Sequence, residues 1–468
     1  MKFESLPGIP KSWVRFIDGA HPDLTVTSKA ALLQSLHSRN QGPVTYPRLE
    51  ESLVRKLVRD AVTSPEDKRE YIQQLDQSGT VAVVASIDPE LLGGGLCQFL
   101  KCLTAVKVAE ELSENSIDAV AVCWIRSQSV QDTFMPQALR LLDSDGKPQR
   151  FQSRTTPYNS DDHASVHFYD GVTELTAAID ALGRGSFDSG ILASLHTAYS
   201  RQDSKSSGLA RLLDNLMDAW NIIVMDSRAP DFRTALEDKR VSIFNNAEQW
   251  NPGSRNGFSG TPSVDYLMQA LIFPRLLSVI DPYDMASFLE VRNVLKAYSG
   301  FTPPVWPAIS ATVIDVDSRR TMKKYRLGMP DLFAGEEKLM ETLRARIPVS
   351  SAGDTLDILQ SEVEQCLDAL SVSEPERELF QTLKESCKKR ITFQLQKIRN
   401  RMKSAGMQKL EVLERRIPQL CASLFPGGKI QERGLSGIYF PLKYSRELLS
   451  VLYKKLDFEK WEHQIIEI

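Results

Sequence analysis

Three consecutive glycines, Gly93 to Gly95, are the first residues of this chain whose type and position suit chemistry. They separate an apolar run, Val81 to Ala85, from a pattern of apolar residues at helical spacing. Backbone N–H groups at the positive end of a helix can bind a phosphate or a carboxylate. The motif is neither GxGxxG nor a P-loop, so a tight turn that lets helix and strand pack explains it equally well. Lys101 and Lys107 follow on the predicted helix, and one of them could point at a ligand.

Acidic residues stand at the ends of predicted strands. Asp88 follows the run Val81 to Ala85, and Asp226 ends a second buried run that begins at Asn221. In an open parallel sheet a functional acid commonly lies there, although Asp226 could equally cap the next turn. The candidates for a catalytic acid or base are Asp88, Asp226 and Asp284, and the sequence does not separate their roles.

Histidines and cysteines give weaker signals. His163 and His167 are four residues apart, but their strand-like neighbours disfavour a metal pair. No HExxH, GxSxG or Ser/His/Asp pattern occurs. The six cysteines form no CxxC pair, which argues against a zinc site or a disulfide framework. We interpret Cys97, Cys102 and Cys123 as buried thiols near the glycines, and Cys366 and Cys387 as small hydrophobes on helical stripes.

A βαβ unit must position these residues. The stretch that begins at Thr80 reads as a strand, a glycine-rich turn, a helix and a second strand, predicted over Ala119 to Ile125. Such units build parallel sheets, so the sequence predicts an α/β protein with a Rossmann-like core. The ligand crevice of such a sheet lies beyond the carboxyl ends of its strands, here at the loop 86–95 and after Trp124.

Other elements follow from periodicity and turn signals. Helices are predicted within 1–75 and at 174–182, 208–220, 266–280 and 286–298, and strands at 221–226 and 305–315. The polar stretch 140–163 predicts an excursion from the sheet. Insertions therefore interrupt the core at about 136–190 and 245–300.

The pattern changes near position 336. A single narrow apolar stripe consists of Leu379, Leu383, Cys387, Ile391, Leu395, Ile398 and Met402. Flanking helices are predicted at 356–370 and 407–424, with a stop or bend at Gly406. The stripe predicts an antiparallel coiled coil, within the chain or between two chains. The expected parts are a core over 1–335, a helical arm over 336–424 and a C-terminal segment over 425–468 that packs back on both.

Composition restricts the class of protein. The 468 residues are 42% hydrophobic and 25% charged, and the net charge of −3 gives no basic field for nucleic acid. The first residues lack the apolar segment of a secretory signal. No apolar run approaches the roughly 18 residues of a membrane helix. We therefore expect a soluble, cytoplasmic protein that binds neither membrane nor nucleic acid.

The C-terminal segment carries a family resemblance. It reads FPGGKIQER from Phe425 to Arg433. Further matching positions are Gly94, Leu96, Lys101, Leu103 to Ala105, Lys107, Gln269, Pro274, Pro282, Tyr439, Lys443, Tyr444 and Glu462 to Gln464. With these motifs the chain resembles, over most of its length, the BshC family, which adds cysteine in bacillithiol biosynthesis.

The resemblance implies an architecture and an activity. The architecture is a Rossmann core followed by a coiled coil that forms a homodimer. The activity joins the carboxyl group of cysteine to the amine of glucosaminyl-malate, and ATP is expected to activate the carboxylate. The implied substrate-binding residues are Gly94, Gly95, Lys101, Trp124 and Gln269, and the implied ATP- or ADP-binding residues are Lys429, Gln431, Glu432 and Arg433. Docking of the C-terminal segment explains the last four equally well.

The chain departs from the family's pattern at the predicted crevice. Ser86 to Asp88 replaces GQQ, Gln128 to Gln131 replaces an acidic/His cluster, Ile280 to Asp284 replaces GGPGE, and Asp265 and Ala308 replace arginines. Loss of one charge-stabilising donor typically costs about 10²–10³ in rate. Two functions therefore stay open: a cysteine ligase, with the same or changed substrates, or a relative without that activity that keeps the dimeric scaffold and a nucleotide pocket.

Overall fold

The chain forms two compact units, Met1–Val316 with Ala422–Ile468, and Asp317–Cys421. The computed structural model describes residues 1–19, 51–77, 79–127, 138–153, 165–169, 177, 179–181, 183, 185–199, 205–227, 262–273, 275–289, 291–292, 303–346, 351–371, 373 and 377–468.

The described helices and strands are numbered in chain order. Strands β1 to β10 are Val81–Ile87, Ala119–Ile125, Ala138–Leu142, Pro148–Ser153, Ser165–Tyr169, Ile222–Asp226, Arg275–Ile280, Val305–Pro307, Ser310–Ile314 and His463–Glu467. Helices α1 to α15 are Lys11–Ile17, Glu51–Ala61, Arg69–Leu75, Leu96–Glu114, Ser189–Tyr199, Lys205–Leu216, Pro262–Ile272, Val316–Tyr325, Met329–Phe333, Glu336–Ala345, Ser351–Ala369, Arg377–Leu424, Gln431–Gly434, Tyr439–Tyr444 and Glu447–Lys455.

Five parallel strands form the central sheet of the first unit, in the order β6-β2-β1-β7-β8. Every residue of β1 and β2 is buried, which is why both strands read as continuous apolar runs. The chain passes from β1 to β2 and β6 on one side and then returns to β7 on the other side of β1. The topological switch point therefore lies between β1 and β7. The predicted Rossmann-like parallel sheet is confirmed.

The stretch 266–280 corrects a prediction. It was expected to be one helix, but α7 ends at Ile272 and β7 begins at Arg275, paired in parallel with β1. A short continuous apolar run cannot be assigned to helix or strand by periodicity alone. Pairing with the central strand decides in favour of β7. The expected strand 305–315 is likewise two strands, β8 and β9.

Two smaller sheets accompany the central one. β3 and β4 form an antiparallel hairpin in which Arg140 stands opposite Arg150, and β5 pairs with β4. The predicted excursion 140–163 therefore contains most of a hairpin. β10, near the end of the chain, pairs in parallel with β9, and no strand signal in the sequence had indicated it.

The second unit contains a helical hairpin. Arg399 on α12 pairs with Asp357 on α11, and Lys388 Nζ lies 2.6 Å from Asp368 Oδ1, so the two helices run antiparallel. α12 continues for 48 residues through Gly406. The helix therefore does not stop at Gly406, because one glycine in a helix costs only about 1 kcal/mol.

The apolar stripe on α12 is covered only in part. Leu395 is 8% exposed, but Leu379 is 67% and Leu383 is 55% exposed. Cys366 and Cys387 are exposed as well, so their interpretation as small hydrophobes is wrong for the single chain.

Among the helices that the structure describes, none has the length and apolar character that crossing a bilayer requires.

The β9–β10 junction encloses a buried histidine, His463. Its Nδ1 lies 2.7 Å from Ser310 Oγ, and its Nε2 lies 2.8 Å from Thr312 Oγ1. Burial, and then the charge of the N-terminal ammonium group, lower the pKa of His463 to about 4. The folded protein therefore holds this ring neutral at pH values where an unfolded chain would protonate it.

We expect this histidine to weaken the fold in acid. Between its unfolded pKa of about 6.5 and pH 4, protonation favours the unfolded chain, so stability is lost as the pH falls. Comparison of the wild type with His463→Asn cancels most other titrations. The stability advantage of the wild type should shrink by about 3 kcal/mol from pH 7 to pH 4, since a tenfold change in proton affinity is worth about 1.4 kcal/mol. A constant advantage in urea unfolding across that range would contradict the expectation.

Candidate functional site

A buried cluster of charges lies at the switch point of the sheet. Lys101 on α4 lies 2.5 Å from Asp284 Oδ2 and 3.5 Å from Asp281 Oδ2. Arg126, directly after β2, lies 2.8 Å from Asp284 Oδ1 and 2.7 Å from Asp88 Oδ1. The side chains of Lys101 and Arg126 are 0% and 3% exposed. The carboxyl ends of β1, β2 and β7 thus meet in one network of ion pairs.

The network keeps Asp284 and Lys101 ionised although both are buried. Burial opposes ionisation of Asp284, but Lys101 and Arg126 beside it hold the pKa of that carboxyl well below its usual range. Burial also opposes the charge on Lys101, yet Asp281 and Asp284 raise its pKa. An acid held this firmly as a carboxylate is a poor proton carrier near neutral pH. The arrangement suits orientation of the loops better than proton transfer.

Trp124 and Gln269, which the resemblance assigns to substrate binding, are hydrogen-bonded to buried side chains. The indole N–H of Trp124 donates to Asp265 Oδ1 at 2.8 Å, and the amide of Gln269 donates to Ser86 Oγ at 2.8 Å. Asp226 ends β6 and is partly buried. Gln128 to Gln131 lie outside the described residues. Two departures from the family's pattern, Asp265 and Ser86, are thus hydrogen-bonded to buried partners.

A cavity of about 680 Å³ opens beside the charge cluster. The start of α4 contributes Gly94 and Gly95, and Tyr283 after β7 contributes another wall. The basic side chains among the described lining residues are Arg140, Arg150, Lys429 and Arg433. A volume of a few hundred Å³ is typical of small-molecule sites. The four cations suit a ligand with carboxylate or phosphate groups.

The C-terminal segment forms one side of this cavity. Gly95 and Ser436 form an isolated bridge, and the N–H of Gly437 donates to Gly94 O at 2.7 Å. A Cβ added at Gly95 would lie 2.6 Å from the backbone oxygen of Glu432. The two backbones approach so closely that only glycine fits there. The glycine loop and the C-terminal segment, which the sequence treated as two sites, border one space.

The four residues assigned to nucleotide binding divide into two pairs. Lys429 and Arg433 line the cavity. Gln431 is buried and makes two hydrogen bonds with the backbone of Val313, at 2.7 and 2.8 Å. Glu432 is buried and accepts hydrogen bonds from Ser310 Oγ and Ala311 N, both at 2.8 Å. Gln431 and Glu432 therefore fasten the segment to β9, which holds Lys429 and Arg433 at the cavity.

Arg433 is held in a fixed orientation. Its guanidinium lies 3.4 Å from both carboxylate oxygens of Asp281. Its plane also stacks on Tyr283, 3.4 Å from the ring centre. A planar guanidinium stacked and paired in this way is pre-organised to bind an anion in two places.

Sequence reasoning missed Glu90. This residue lines the cavity, and its carboxylate folds over Gly94, where an added Cβ would overlap Oε2. Burial and then the charge of Asp88 raise the pKa of Glu90 to about 7, against the opposing effect of nearby cations. Its position in the predicted crevice loop was a usable signal, but nothing in the sequence separated it from Asp88.

Cysteines and metal ligands offer no alternative centre within the described ranges. Cys97, Cys102 and Cys123 are buried, as predicted, and burial raises the pKa of the Cys97 thiol far above its ordinary value. No group of three or more His, Cys, Asp or Glu in this part of the chain could hold a metal ion. His163 lies outside the described residues.

Comparison with known proteins agrees with this architecture. Residues 26–266 match the family described as bacillithiol biosynthesis BshC, N-terminal Rossmann-like domain. Residues 311–468 match the BshC C-terminal coiled-coil domain. A proposed cysteine ligase BshC from Solibacter usitatus is 22% identical, with 96% of each chain covered. Those from Koribacter versatilis and Salinibacter ruber are each 21% identical and cover 80% and 86% of this chain, and 81% and 86% of their own. The chain belongs to the BshC family of bacillithiol biosynthesis.

Proposed function

We propose that this protein is a cysteine ligase of bacillithiol biosynthesis that joins the carboxyl group of cysteine to the amine of glucosaminyl-malate. The cavity at the carboxyl ends of β1 and β7 is the observation that carries the proposal. Its four basic side chains and the glycine backbone at the start of α4 suit substrates rich in carboxylates and phosphates. Both cysteine and the malyl group carry carboxylates.

Amide formation from a free carboxylate requires activation. We assign this role to ATP, which would convert the carboxylate of cysteine into an acyl phosphate or an acyl adenylate. Lys429 and Arg433 would bind the phosphates together with the backbone of Gly94 and Gly95. Gln431 and Glu432 support that site through β9 rather than through contact with the nucleotide.

The proposal is tested with purified protein, cysteine, glucosaminyl-malate and ATP, followed by mass spectrometry. Product at the mass of bacillithiol, absent without ATP, is the expected result. A folded protein that gives no product with intact substrates would refute the ligase assignment.

A second candidate function is a relative without ligase activity that uses the cavity only for binding. The observation in its favour is the charge cluster, where Lys101 and Arg126 are already neutralised by aspartates of this chain. Restoration of bacillithiol in a strain that lacks the usual enzyme would exclude this candidate.

We also propose that the protein acts as a homodimer in the cytoplasm, where ATP is available. The exposed part of the stripe on α12 supports the dimer, because large apolar side chains on a long helix favour a partner helix. Leu379 and Leu383 are the most exposed leucines of α12.

Replacement of Leu379 and Leu383 by aspartate should convert the dimer into a folded monomer. Burial of a leucine contributes about 1.5–3 kcal/mol, so the dimer Kd should rise at least about 100-fold. Light scattering measures the mass, and circular dichroism checks the helix. The matched control carries the same charges on another face of α12, at the exposed positions Gln381→Asp and Thr392→Asp. An unchanged dimer in the leucine variant would contradict the proposed interface.

A further inference from the structure

The loop between β1 and α4 holds one carboxylate apart from the ion pairs of the charge cluster. Asp88 and Asp284 are paired with Arg126, and Asp281 with Lys101. Glu90 makes no side-chain hydrogen bond or ion pair with any residue that the structure describes, and it lines the cavity. It is the only carboxylate among the described lining residues.

The backbone of this loop fixes where the Glu90 carboxylate lies. The N–H of Glu90 donates to Asp88 O at 2.7 Å, and the N–H of Gly93 donates to Glu90 O at 3.2 Å. Leu92 has a φ of 51° and Gly94 a φ of 65°, values that are costly for leucine and easy for glycine. Because Gly94 has no side chain, the Glu90 carboxylate can lie against the first turn of α4. The strained turn thus aims a carboxylate into the cavity.

The surroundings of Glu90 leave it able to gain and lose a proton. The charged and titratable groups that face it are Asp88 on its own loop, Lys101 on α4, Arg126 after β2, Arg433 on α13 and, around the cavity, Arg140, Arg150, Lys429 and Tyr283. Lys101, Arg126 and Arg433 are already engaged with aspartates. These three cations therefore offset only in part the cost of burying the charge of Glu90. The pKa of Glu90, about 7, is suited to a general base at neutral pH.

We propose that Glu90 is the general base that accepts the proton of the attacking amine when the amide bond forms, an inference that rests on the proposed function. The nitrogen lone pair attacks the activated acyl carbon and forms the C–N bond. The C–O bond to the phosphoryl group breaks, and the phosphate or AMP leaves with that electron pair. The proton released from nitrogen moves to the Glu90 carboxylate and then to solvent.

The proposal predicts a loss of activity in amide bond formation and none in the preceding activation of the carboxylate. Glu90→Gln should lower kcat for amide formation about 10²–10⁴-fold, the usual contribution of a general base. In the wild type, kcat should rise with pH up to about 7, because the base must be ionised, and this limb should disappear in the variant. Hydroxylamine is unprotonated at neutral pH and needs no base to attack an activated acyl group. Glu90→Gln should therefore form cysteine hydroxamate from cysteine and ATP at close to the wild-type rate.

Controls separate this inference from the proposed function. Glu70→Gln, the same change at an exposed position on α3, should leave both products unaffected. Amide formation at the wild-type rate by Glu90→Gln would overturn the base assignment, and so would loss of both amide and hydroxamate, which would indicate a role in activation or folding. If the wild type forms hydroxamate but no amide, glucosaminyl-malate is not the amine substrate, and the proposed function is wrong on that point. A wild type that forms neither would overturn the proposed function and the base assignment with it.

Discussion

Replacement of Lys101 by methionine is expected to lower the free energy of unfolding by about 3–5 kcal/mol, the usual cost of removing one partner of a buried ion pair. The change would leave Asp284 with Arg126 alone, and Asp281 with Arg433 alone. Both carboxylates are almost fully buried, so water cannot compensate. Urea unfolding of the full chain, followed by the fluorescence of buried tryptophans, measures the loss.

A matched control exists on the same helix. Lys107 on α4 is only partly buried and lies over the ring of Tyr453, 5.5 Å from its centre. Lys107→Met should therefore cost no more than about 1 kcal/mol. Together with Arg433, which pairs with Asp281, the cluster contains three cations and three carboxylates. Lys101→Met with Asp284→Asn therefore restores the balance of charge and should recover part of the stability. A Lys101→Met protein as stable as the Lys107→Met control would contradict the importance of the cluster.

The sequence predicts a strand of the central sheet where its apolar run is separated by turn residues from the neighbouring helices. β2 begins and ends at the predicted residues, because a buried strand of a parallel sheet is a continuous apolar run between turn signals. β7 is equally apolar, but it follows α7 with only two residues between them. Its strand conformation depends on the edge of β1, which lies almost 200 residues earlier in the chain and which no local pattern can report.

The candidate site was predictable in its parts rather than in its assembly. The glycines and Lys101 were singled out by type and position, and the C-terminal motif by its resemblance to the BshC family. The sequence could not indicate that Gly95 and Ser436 bridge, since contacts over such separations depend on the whole topology. It also could not distinguish Glu90 from Asp88. Asp88 pairs with Arg126, which follows another strand, whereas Glu90 does not.

Arg433→Met is the second change for which we expect a large effect, on activity rather than on stability. If Arg433 binds the phosphates of ATP or the charge that develops during carboxylate activation, its loss should lower kcat/KM for ATP about 10²–10³-fold. Stacking on Tyr283 and pairing with Asp281 fix the guanidinium before a ligand arrives, so no ordering cost falls on binding. Calorimetry of nucleotide binding and the ligation assay measure the two consequences separately.

The structural role of Arg433 must be separated from this effect. Arg433→Met with Asp281→Asn removes both charges of the pair, which should restore stability towards that of the wild type without restoring activity. Arg433→Lys keeps the charge and loses the planar fork, and we expect it to fall between the wild type and Arg433→Met. Arg446 pairs with Asp218, is not among the residues that line the cavity, and supplies the control Arg446→Met, which should keep full activity. If Arg433→Met binds nucleotide as tightly as the Arg446→Met control, the phosphates lie elsewhere, and the cations on the β3–β4 hairpin become the next group to replace.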